Sequence, residues 1–294
     1  MKILVTGGTG FVGSHIVNGL LEDKHDVVIL KRTYSNTYRI ANYLNRITSY
    51  DTDKDVISEI FARESIDIVI HAATSYGNNE SLSDQIECNI LFPVKLLESA
   101  VEHKVQAFIN TDTFFNKDTN LSYNYLNAYS KTKRIFEELA KSLYDNSQTK
   151  FINARLEHVF GPNDSPNKFT YNIIFQLLRN VTSIELTLGE QKRDFISVDD
   201  VSSAYRMIVN NLDSFHEGYS EVGVGRGTSI SIRQFIESAH SLTNSTTKLL
   251  FGALPYRDSE IMDSCADISK MKELGWKWED NVEDGITKII KNLN

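Results

Sequence analysis

Cysteine, proline, positive charge and long apolar runs are all scarce in this chain, and each shortage removes a class of answer. Two cysteines, Cys88 and Cys265, occur in 294 residues. They are too few and too far apart for a disulfide framework or a thiolate cluster, so no metal is expected. Four prolines and no low-complexity stretch leave no candidate linker and no internal repeat. Lysine and arginine number 31 against 39 aspartates and glutamates, a net charge of −8. That balance argues against nucleic acid or an anionic membrane as partner, while leaving room for a local basic pocket around a phosphate. No apolar run approaches the roughly 20 residues that span a bilayer. Met1-Lys2-Ile3-Leu4-Val5-Thr6-Gly7-Gly8 reaches its glycines after three apolar residues, without the apolar core of a signal peptide. A reduced, cytoplasmic protein is expected, long enough for one large domain or two lobes.

What is present begins with that same stretch. Ile3-Leu4-Val5 is a short buried strand, Thr6-Gly7-Gly8-Thr9-Gly10-Phe11-Val12-Gly13 follows it, and a helix is expected from Ser14 to Leu21. Strand, glycine-rich turn and helix N-terminus make an anion site, because free N–H groups and the helix dipole face a pyrophosphate. The glycines let the backbone turn tightly and approach the ligand with no Cβ in the way. A second strand, 26–30, ends in Lys31-Arg32. A carboxylate there would accept from the ribose 2′-OH of NAD, whereas cations attract a 2′-phosphate, so the pair favours NADP(H) over two merely solvated charges. Further strands are expected at 46–51, with Asp51 placed to meet an adenine amino group, and at 66–70, running into His71-Ala72-Ala73-Thr74. Small residues there leave room for a cofactor to cross the sheet edge; His71 reads as structural. A helix over Ser83–Val101 carries Asn89, strand 106–110 delivers Thr111-Asp112-Thr113, and 150–154 is a sixth strand.

Regular alternation to about residue 156 predicts an α/β fold: a Rossmann-type, doubly wound parallel sheet with its ligand cleft at the C-terminal strand ends. Thr6–Gly13, Lys31–Arg32, Ala72–Thr74 and Thr111–Thr113 all fall at such ends, a clustering that unrelated chance motifs would not share. Past Gly161-Pro162-Asn163-Asp164 the alternation breaks. The expected division gives 1–165 and 191–225 to the dinucleotide-binding domain. A smaller α/β substrate lobe then takes 166–190 and 226–294.

Leu126, Tyr129, Lys133, Phe136 and Ala140 recur at helical steps of three and four. Tyr129 and Lys133 therefore stand one turn apart on one face. A phenol beside an ammonium becomes a usable proton donor, because the cation favours phenolate and lowers a pKa that is ordinarily ~10. Tyrosine and lysine at this spacing also decorate solvated helices; the strand-end motifs select the functional reading.

On these residues the chain resembles an extended short-chain dehydrogenase/reductase acting on nucleotide sugars. The likeness rests on Thr6–Gly13, the Thr111 strand end, Tyr129–Lys133, Arg193-Asp194-Phe195 and Ala266-Asp267-Ile268-Ser269-Lys270 before Leu274-Gly275-Trp276. Three blocks are similar to the CDP-abequose and CDP-paratose synthases: Asn110-Thr111-Asp112-Thr113-Phe114-Phe115, Arg155-Leu156-Glu157-His158-Val159-Phe160-Gly161-Pro162 and Gly189-Glu190-Gln191-Lys192-Arg193-Asp194-Phe195. The resemblance implies NADPH-dependent reduction of the C4 ketone of a CDP-4-keto-3,6-dideoxyhexose, a CDP- or dTDP-linked 4-ketohexose more broadly, for O-antigen (lipopolysaccharide) synthesis. Gly7, Thr9, Gly10, Phe11, Val12, Gly13, Lys31, Arg32, Asp51, Ala72, Ala73 and Thr74 would then bind the cofactor. Tyr129 would protonate the C4 oxygen, and Lys133 would hold the nicotinamide ribose and lower the Tyr129 pKa. Thr111 would bond the same ketone oxygen, with Asn89 supporting Lys133 through backbone and water. Thr111, Asp112, Thr113, His158, Asn167 and Lys168 would meet the sugar, and Arg193 and Arg257 would clamp its diphosphate.

Two departures qualify the likeness. Sugar 4,6-dehydratases carry Thr-Asp-Glu where this chain has Thr111-Asp112-Thr113, and losing that acid/base group disfavours dehydration. Where many relatives have Asn-Val-Tyr-Gly, this chain has His158-Val159-Phe160-Gly161, and a packed, hydrogen-bonded histidine is expected. The runner-up function is an NAD-dependent nucleotide-sugar 4-epimerase, and a non-catalytic NADP-binding regulator stands behind it. The resemblance also implies a homodimer, through a four-helix contact that includes the Tyr129 helix and Ser83–Val101.

Overall fold

A computed structural model describes residues 1–77, 80–117, 127–144 and 148–293; Leu126 of the Tyr129 face lies outside them. The chain divides into two compact units, one of Met1–Arg155 with Ser202–Val222, the other of Leu156–Val201 with Gly223–Asn294.

The first unit is built on six strands in chain order: β1 (Lys2–Thr6), β2 (Asp26–Lys31), β3 (Ile47–Asp51), β4 (Ile68–His71), β5 (Ala107–Thr113) and β6 (Lys150–Leu156). With the strand Gly218–Val224 they form a seven-stranded parallel sheet in the order β3-β2-β1-β4-β5-β6 and then Gly218–Val224. Ile3, Leu4, Val5, Ile29, Ile68, Val69 and Ile70 are fully buried, the continuous apolar reading of strands covered on both faces. Val5 pairs with Ile29 on one side and Ile70 on the other. The chain moves outward from β1 to β3, then returns to β4 on the other side of β1. The strand order reverses between β1 and β4, where open α/β sheets part to admit a ligand. One core layer joins Leu4, Leu97, Phe108, Phe136, Ala140 and Phe151, with the Phe108 and Phe151 rings stacked at 5.6 Å.

Two helices differ from the sequence expectation. The helix α1 (Phe11–Glu22) begins three residues before Ser14, so Gly13 lies in its first turn. The helix expected over Ser83–Val101 is three pieces: Leu82–Ile86, a π-helical turn Glu87–Leu91, and Phe92–Glu102. Pro93 has no N–H for the Asn89 carbonyl, and the wider turn absorbs that interruption.

The second unit packs helices Phe169–Leu178, Ile232–Leu242 and Val282–Leu293 around Phe160, Phe195 and Phe235. Phe195 stacks on Phe235 at 4.4 Å, and Phe160 meets both edge-on. The expected domain limits shift here: 156–165, 191–201 and 223–225 belong to this unit, not the first. His158–Phe160 pairs in parallel with Phe195–Ser197, and Lys192–Arg193 pairs with Ile230–Ser231 and Asp263–Ser264. His158–Phe160 and Lys192–Ser197 therefore find their strand partners away from the large sheet. Asp194 ties the unit together, its carboxylate accepting from the backbone N–H groups of Arg226, Gly227 and Ala266 at 2.8, 2.9 and 3.1 Å. Among the described residues no helix is long and apolar enough to cross a membrane.

Candidate active site

The turn from β1 into α1 has the shape a phosphate needs. Gly7 has φ +69°, and a Cβ there would lie 2.6 Å from the Ala72 carbonyl and the Ala73 nitrogen. The Gly10 N–H closes the turn on the Gly7 oxygen at 2.8 Å. A Cβ on Gly13 would fall 2.2 Å from that oxygen, so only glycine brings the first turn of α1 so near the loop. Gly10 caps the helix without a side chain, which leaves its N-terminus to an external anion. Thr9, Phe11 and Val12 are half-buried around it. These residues fit a dinucleotide's pyrophosphate.

The crevice between β1 and β4 is pinned by one side chain. Thr6 Oγ1 lies 2.8 Å from His71 Nδ1 and accepts from the Ala73 N–H at 3.3 Å. Burial among Phe92, Phe108 and Phe136 holds the His71 pKa well below its ordinary value, so it is a neutral structural ring. At the ends of β2 and β3, Lys31 is half-buried and Arg32 exposed, its guanidinium 5.3 Å over the Tyr34 ring. Asp51 accepts from the Thr33 hydroxyl at 2.6 Å and pairs with Lys54 at 3.3 Å.

Tyr129 and Lys133 both emerge buried from the helix Asn127–Tyr144. The ammonium of Lys133 donates to the Thr111 carbonyl at 2.6 Å, which fixes the C-terminal end of β5 against this helix. The Tyr129 ring stacks on Tyr76 at 4.8 Å, and its phenol bonds with the Thr113 and Tyr76 hydroxyls. Here the sequence expectation needs correcting. Burial drives the Tyr129 pKa well above its ordinary value, Tyr76 and Asp112 push it further up, and only the Thr113 hydrogen bond opposes them. The Lys133 charge is spent on a backbone carbonyl, and burial lowers the pKa of that lysine too.

Other expected site residues separate by direction along β5, where successive side chains face opposite ways. The Thr111 hydroxyl lies 2.6 Å from the Tyr205 hydroxyl. Asp112, expected among the sugar contacts, points to the other side: it pairs with Arg155 at 3.1 Å and accepts from Asn116 and Asn153. Arg155 also meets Glu137 and Glu221, so Asp112 belongs to a buried ionic cluster. Asn89, expected to support Lys133 through backbone and water, uses its side chain to donate to Thr132 at 3.0 Å and to the Ser75 carbonyl at 2.8 Å. Its oxygen accepts from the Ser75 N–H and the Thr74 hydroxyl. Both donors and both acceptor positions are taken, and the amide locks segment 74–75 to the Tyr129 helix. The π turn at Glu87–Leu91 is what presents it.

In the second unit Arg193 is buried, donating to the carbonyls of Lys192 and Ile261 at 2.7 and 2.6 Å and pairing with Glu260. His158 packs edge-on against Phe195 at 5.4 Å. Burial, with the Arg193 and Lys168 charges, pushes its pKa down to about 3, so it is neutral. Asn167 and Lys168 are exposed just ahead of the helix Phe169–Leu178, and Arg257 is exposed in a turn that Glu260 closes by donating its N–H to the Arg257 carbonyl. Sequence reasoning missed Tyr76, Thr132, Tyr205 and Glu260. Only Tyr76 had a signal, its place directly after the Ala72–Thr74 rim.

The chain is similar to known proteins in both sequence and fold. Two CDP-abequose synthases are similar over nearly the whole length. That of Salmonella muenchen is 37% identical over 291 residues, 98% of this chain and 97% of that protein. That of Salmonella typhimurium is 35% identical over 296 residues, 99% and 98%. The solved UDP-glucuronic acid 4-epimerase of Bacillus cereus, in complex with UDP-glucuronic acid and NAD, shares the fold. Its TM-score is 0.84 at 23% identity, over 100% of this chain and 99% of that one. Residues 3–223, which carry the glycine turn, the Thr111 strand end and the Tyr129–Lys133 helix, match the family described as the NAD dependent epimerase/dehydratase family, and the chain belongs to it, within the extended short-chain dehydrogenase/reductases.

Proposed function

We propose that this protein reduces the C4 ketone of a nucleotide-linked 4-keto-6-deoxyhexose, specifically a CDP-4-keto-3,6-dideoxyhexose, using NADPH, in the cytoplasm. The product would be a deoxysugar nucleotide for cell-surface polysaccharide. The observation that carries the reading is the convergence of buried Tyr129 and Lys133 on the Thr111–Thr113 end of β5, in a chain similar over its length to CDP-abequose synthases. The cofactor supplies hydride to C4. Tyr129 supplies the proton to the C4 oxygen: its raised pKa keeps it a phenol at neutral pH, so it gives the proton up only as that oxygen becomes strongly basic. Lys133 fixes the Thr111 strand end through the Thr111 carbonyl and would hold the nicotinamide ribose. Thr111 donates to the same oxygen. Lys31 and Arg32 hold a 2′-phosphate, and Asp51 faces the adenine. Arg193 and Arg257 hold the substrate diphosphate, for which Arg193 must exchange Glu260 for phosphate oxygens. Thr113, where a dehydratase has glutamate, supports reduction without dehydration.

The protein also forms a homodimer in this reading. Leu82, Ile86, Leu91, Ile135 and Leu139 are each about 40% exposed or more, along helices that pack together in the first unit. Sedimentation velocity tests it: a monomer at micromolar concentration removes this part.

The function is tested by incubating the protein with NADPH and CDP- and dTDP-linked 4-ketosugars, with product NMR. One NADPH should disappear per sugar reduced, and Tyr129→Phe should lower turnover by about 10²- to 10⁴-fold while NADPH binding stays near wild type. Isomerisation with no net NADPH loss would replace this reading by the 4-epimerase.

A further inference from the structure

Tyr205 is fully buried on the helix Val198–Asn210, yet its hydroxyl reaches Thr111 Oγ1 at 2.6 Å across 94 residues of sequence. The direction of that bond follows from satisfying both groups. A phenol has one proton to give, and so does a threonine hydroxyl, which can also accept. Among the described residues Thr111 Oγ1 is the hydrogen-bond partner of the Tyr205 hydroxyl. Were Thr111 the donor, the Tyr205 proton would be left unpaired in an apolar interior, at its full desolvation penalty. Tyr205 is therefore the donor. Thr111 is half-buried, and its own proton is free to turn to the accessible side. Its backbone carbonyl is held by Lys133 at 2.6 Å, so the residue is fixed at both ends. Burial also raises the Tyr205 pKa, which keeps the phenol protonated at any working pH.

We infer that Tyr205 is a positioning residue for the reduction proposed above: by donating to Thr111 Oγ1 it makes the Thr111 hydroxyl a one-way donor to the ketone oxygen. Donation also polarises the threonine O–H, because hydrogen bonds in a chain strengthen one another. A hydroxyl aimed where negative charge develops, and needing no reorientation during the reaction, lowers the barrier more than it aids ground-state binding. The inference rests on the reductase reading for its chemistry but not for the hydrogen bond itself.

Two experiments on the full chain separate these parts. In steady-state reduction of the ketosugar, Tyr205→Phe should lower kcat about 10-fold with KM and the NADPH dissociation constant unchanged. Thr111→Ser should retain most of the activity. Adding Tyr205→Phe to Thr111→Val should cost nothing further. A kcat within twofold of wild type, or losses that multiply in the double variant, would overturn the inference. The second experiment is thermal and needs no substrate. Thr111→Val should lower the melting temperature by stranding the Tyr205 proton, and adding Tyr205→Phe should recover part of that loss. Purely additive shifts would mean that Tyr205 does not donate to Thr111. If wild-type protein reduces no ketosugar, the reductase reading and the role in reduction fall together, while the thermal cycle still decides the bond.

Discussion

The glycine at the start of α1 offers a prediction that can be worked from distances. In Gly13→Ala the new Cβ would lie 2.2 Å from the Gly7 oxygen, 2.7 Å from its carbon and 3.1 Å from the Gly8 Cα. Ordinary carbon contacts begin near ~3.5 Å, so the methyl must withdraw by roughly 1.3 Å. Every atom it meets is backbone of the phosphate turn, so no rotamer change can relieve the clash. Overpacking of this kind costs about 1–3 kcal/mol. Relief comes from opening the turn, which moves the N–H groups that would face the pyrophosphate. At 1.4 kcal/mol per factor of ten, dinucleotide affinity should fall roughly 5- to 150-fold. Two companions calibrate the effect. Gly10→Ala meets only the Gly7 oxygen, at 3.1 Å, and should cost less than about threefold. Gly7→Ala combines a 2.6 Å clash with φ +69°, a left-handed backbone that costs an L-residue about 1–2 kcal/mol, and should be at least as harmful as Gly13→Ala. Fluorescence titration with NADH and NADPH reads the affinities, and circular dichroism confirms that the variants are folded. Gly13→Ala binding within twofold of wild type, or Gly10→Ala the more damaging, would refute the cradle.

Other outcomes follow from single side chains. Arg32→Glu should shift the NADPH/NADH affinity ratio toward NADH by about 10- to 100-fold, the worth of one charged hydrogen bond; an unchanged ratio in the same titration would remove Arg32 from cofactor choice. Arg155→Met strips the cation from Asp112 and Glu137, all three nearly inaccessible, and should destabilise by about 3–5 kcal/mol. A loss below about 1 kcal/mol in urea unfolding would show that the asparagines around Asp112 suffice. His71 lies well below the ordinary histidine value and His158 at about 3. Their effect on stability is nil above about pH 7, where folded and unfolded rings are both neutral. As pH falls from 6.5 toward 3 the unfolded chain binds protons that the folded one refuses, so stability drops by up to about 1.4 kcal/mol per pH unit per ring. His158→Leu should remove one proton's share of that slope, and urea midpoints from pH 7.5 to 5 that fall as steeply as in wild type would contradict it.

The parallel sheet and its rim were legible because they are local. Ile3–Val5, Val27–Leu30 and Ile68–Ile70 are uninterrupted apolar runs, and each ends in residues whose type bears on a dinucleotide. The π turn at Glu87–Leu91 was not, since widening one turn leaves the apolar spacing of Ile86, Ile90, Leu91 and Val94 still helix-like. The second unit hid its strands by their brevity: Lys192–Arg193, Ile230–Ser231 and Asp263–Ser264 are two residues each, too short for a period to show. The Tyr129–Lys133 spacing was readable, but the sign of the phenol's shift was not. It depends on burial, on Tyr76 and on Asp112, none of which lies on that helix. Asp112 itself was misassigned because its partner, Arg155, is 43 residues downstream.

The chain passes from one unit to the other three times, after Arg155, Val201 and Val222. A growing polypeptide therefore cannot finish its first half before starting the second. Until residues 218–224 leave the ribosome, β6 has an open edge with a row of unpaired amides and carbonyls, and until Tyr205 does, Thr111 lacks its partner. A fragment ending near residue 160 would hold every glycine of the phosphate turn and the Tyr129–Lys133 pair, yet be sticky rather than soluble. Cutting this enzyme for a minimal cofactor-binding piece means splicing two distant segments, not trimming one end.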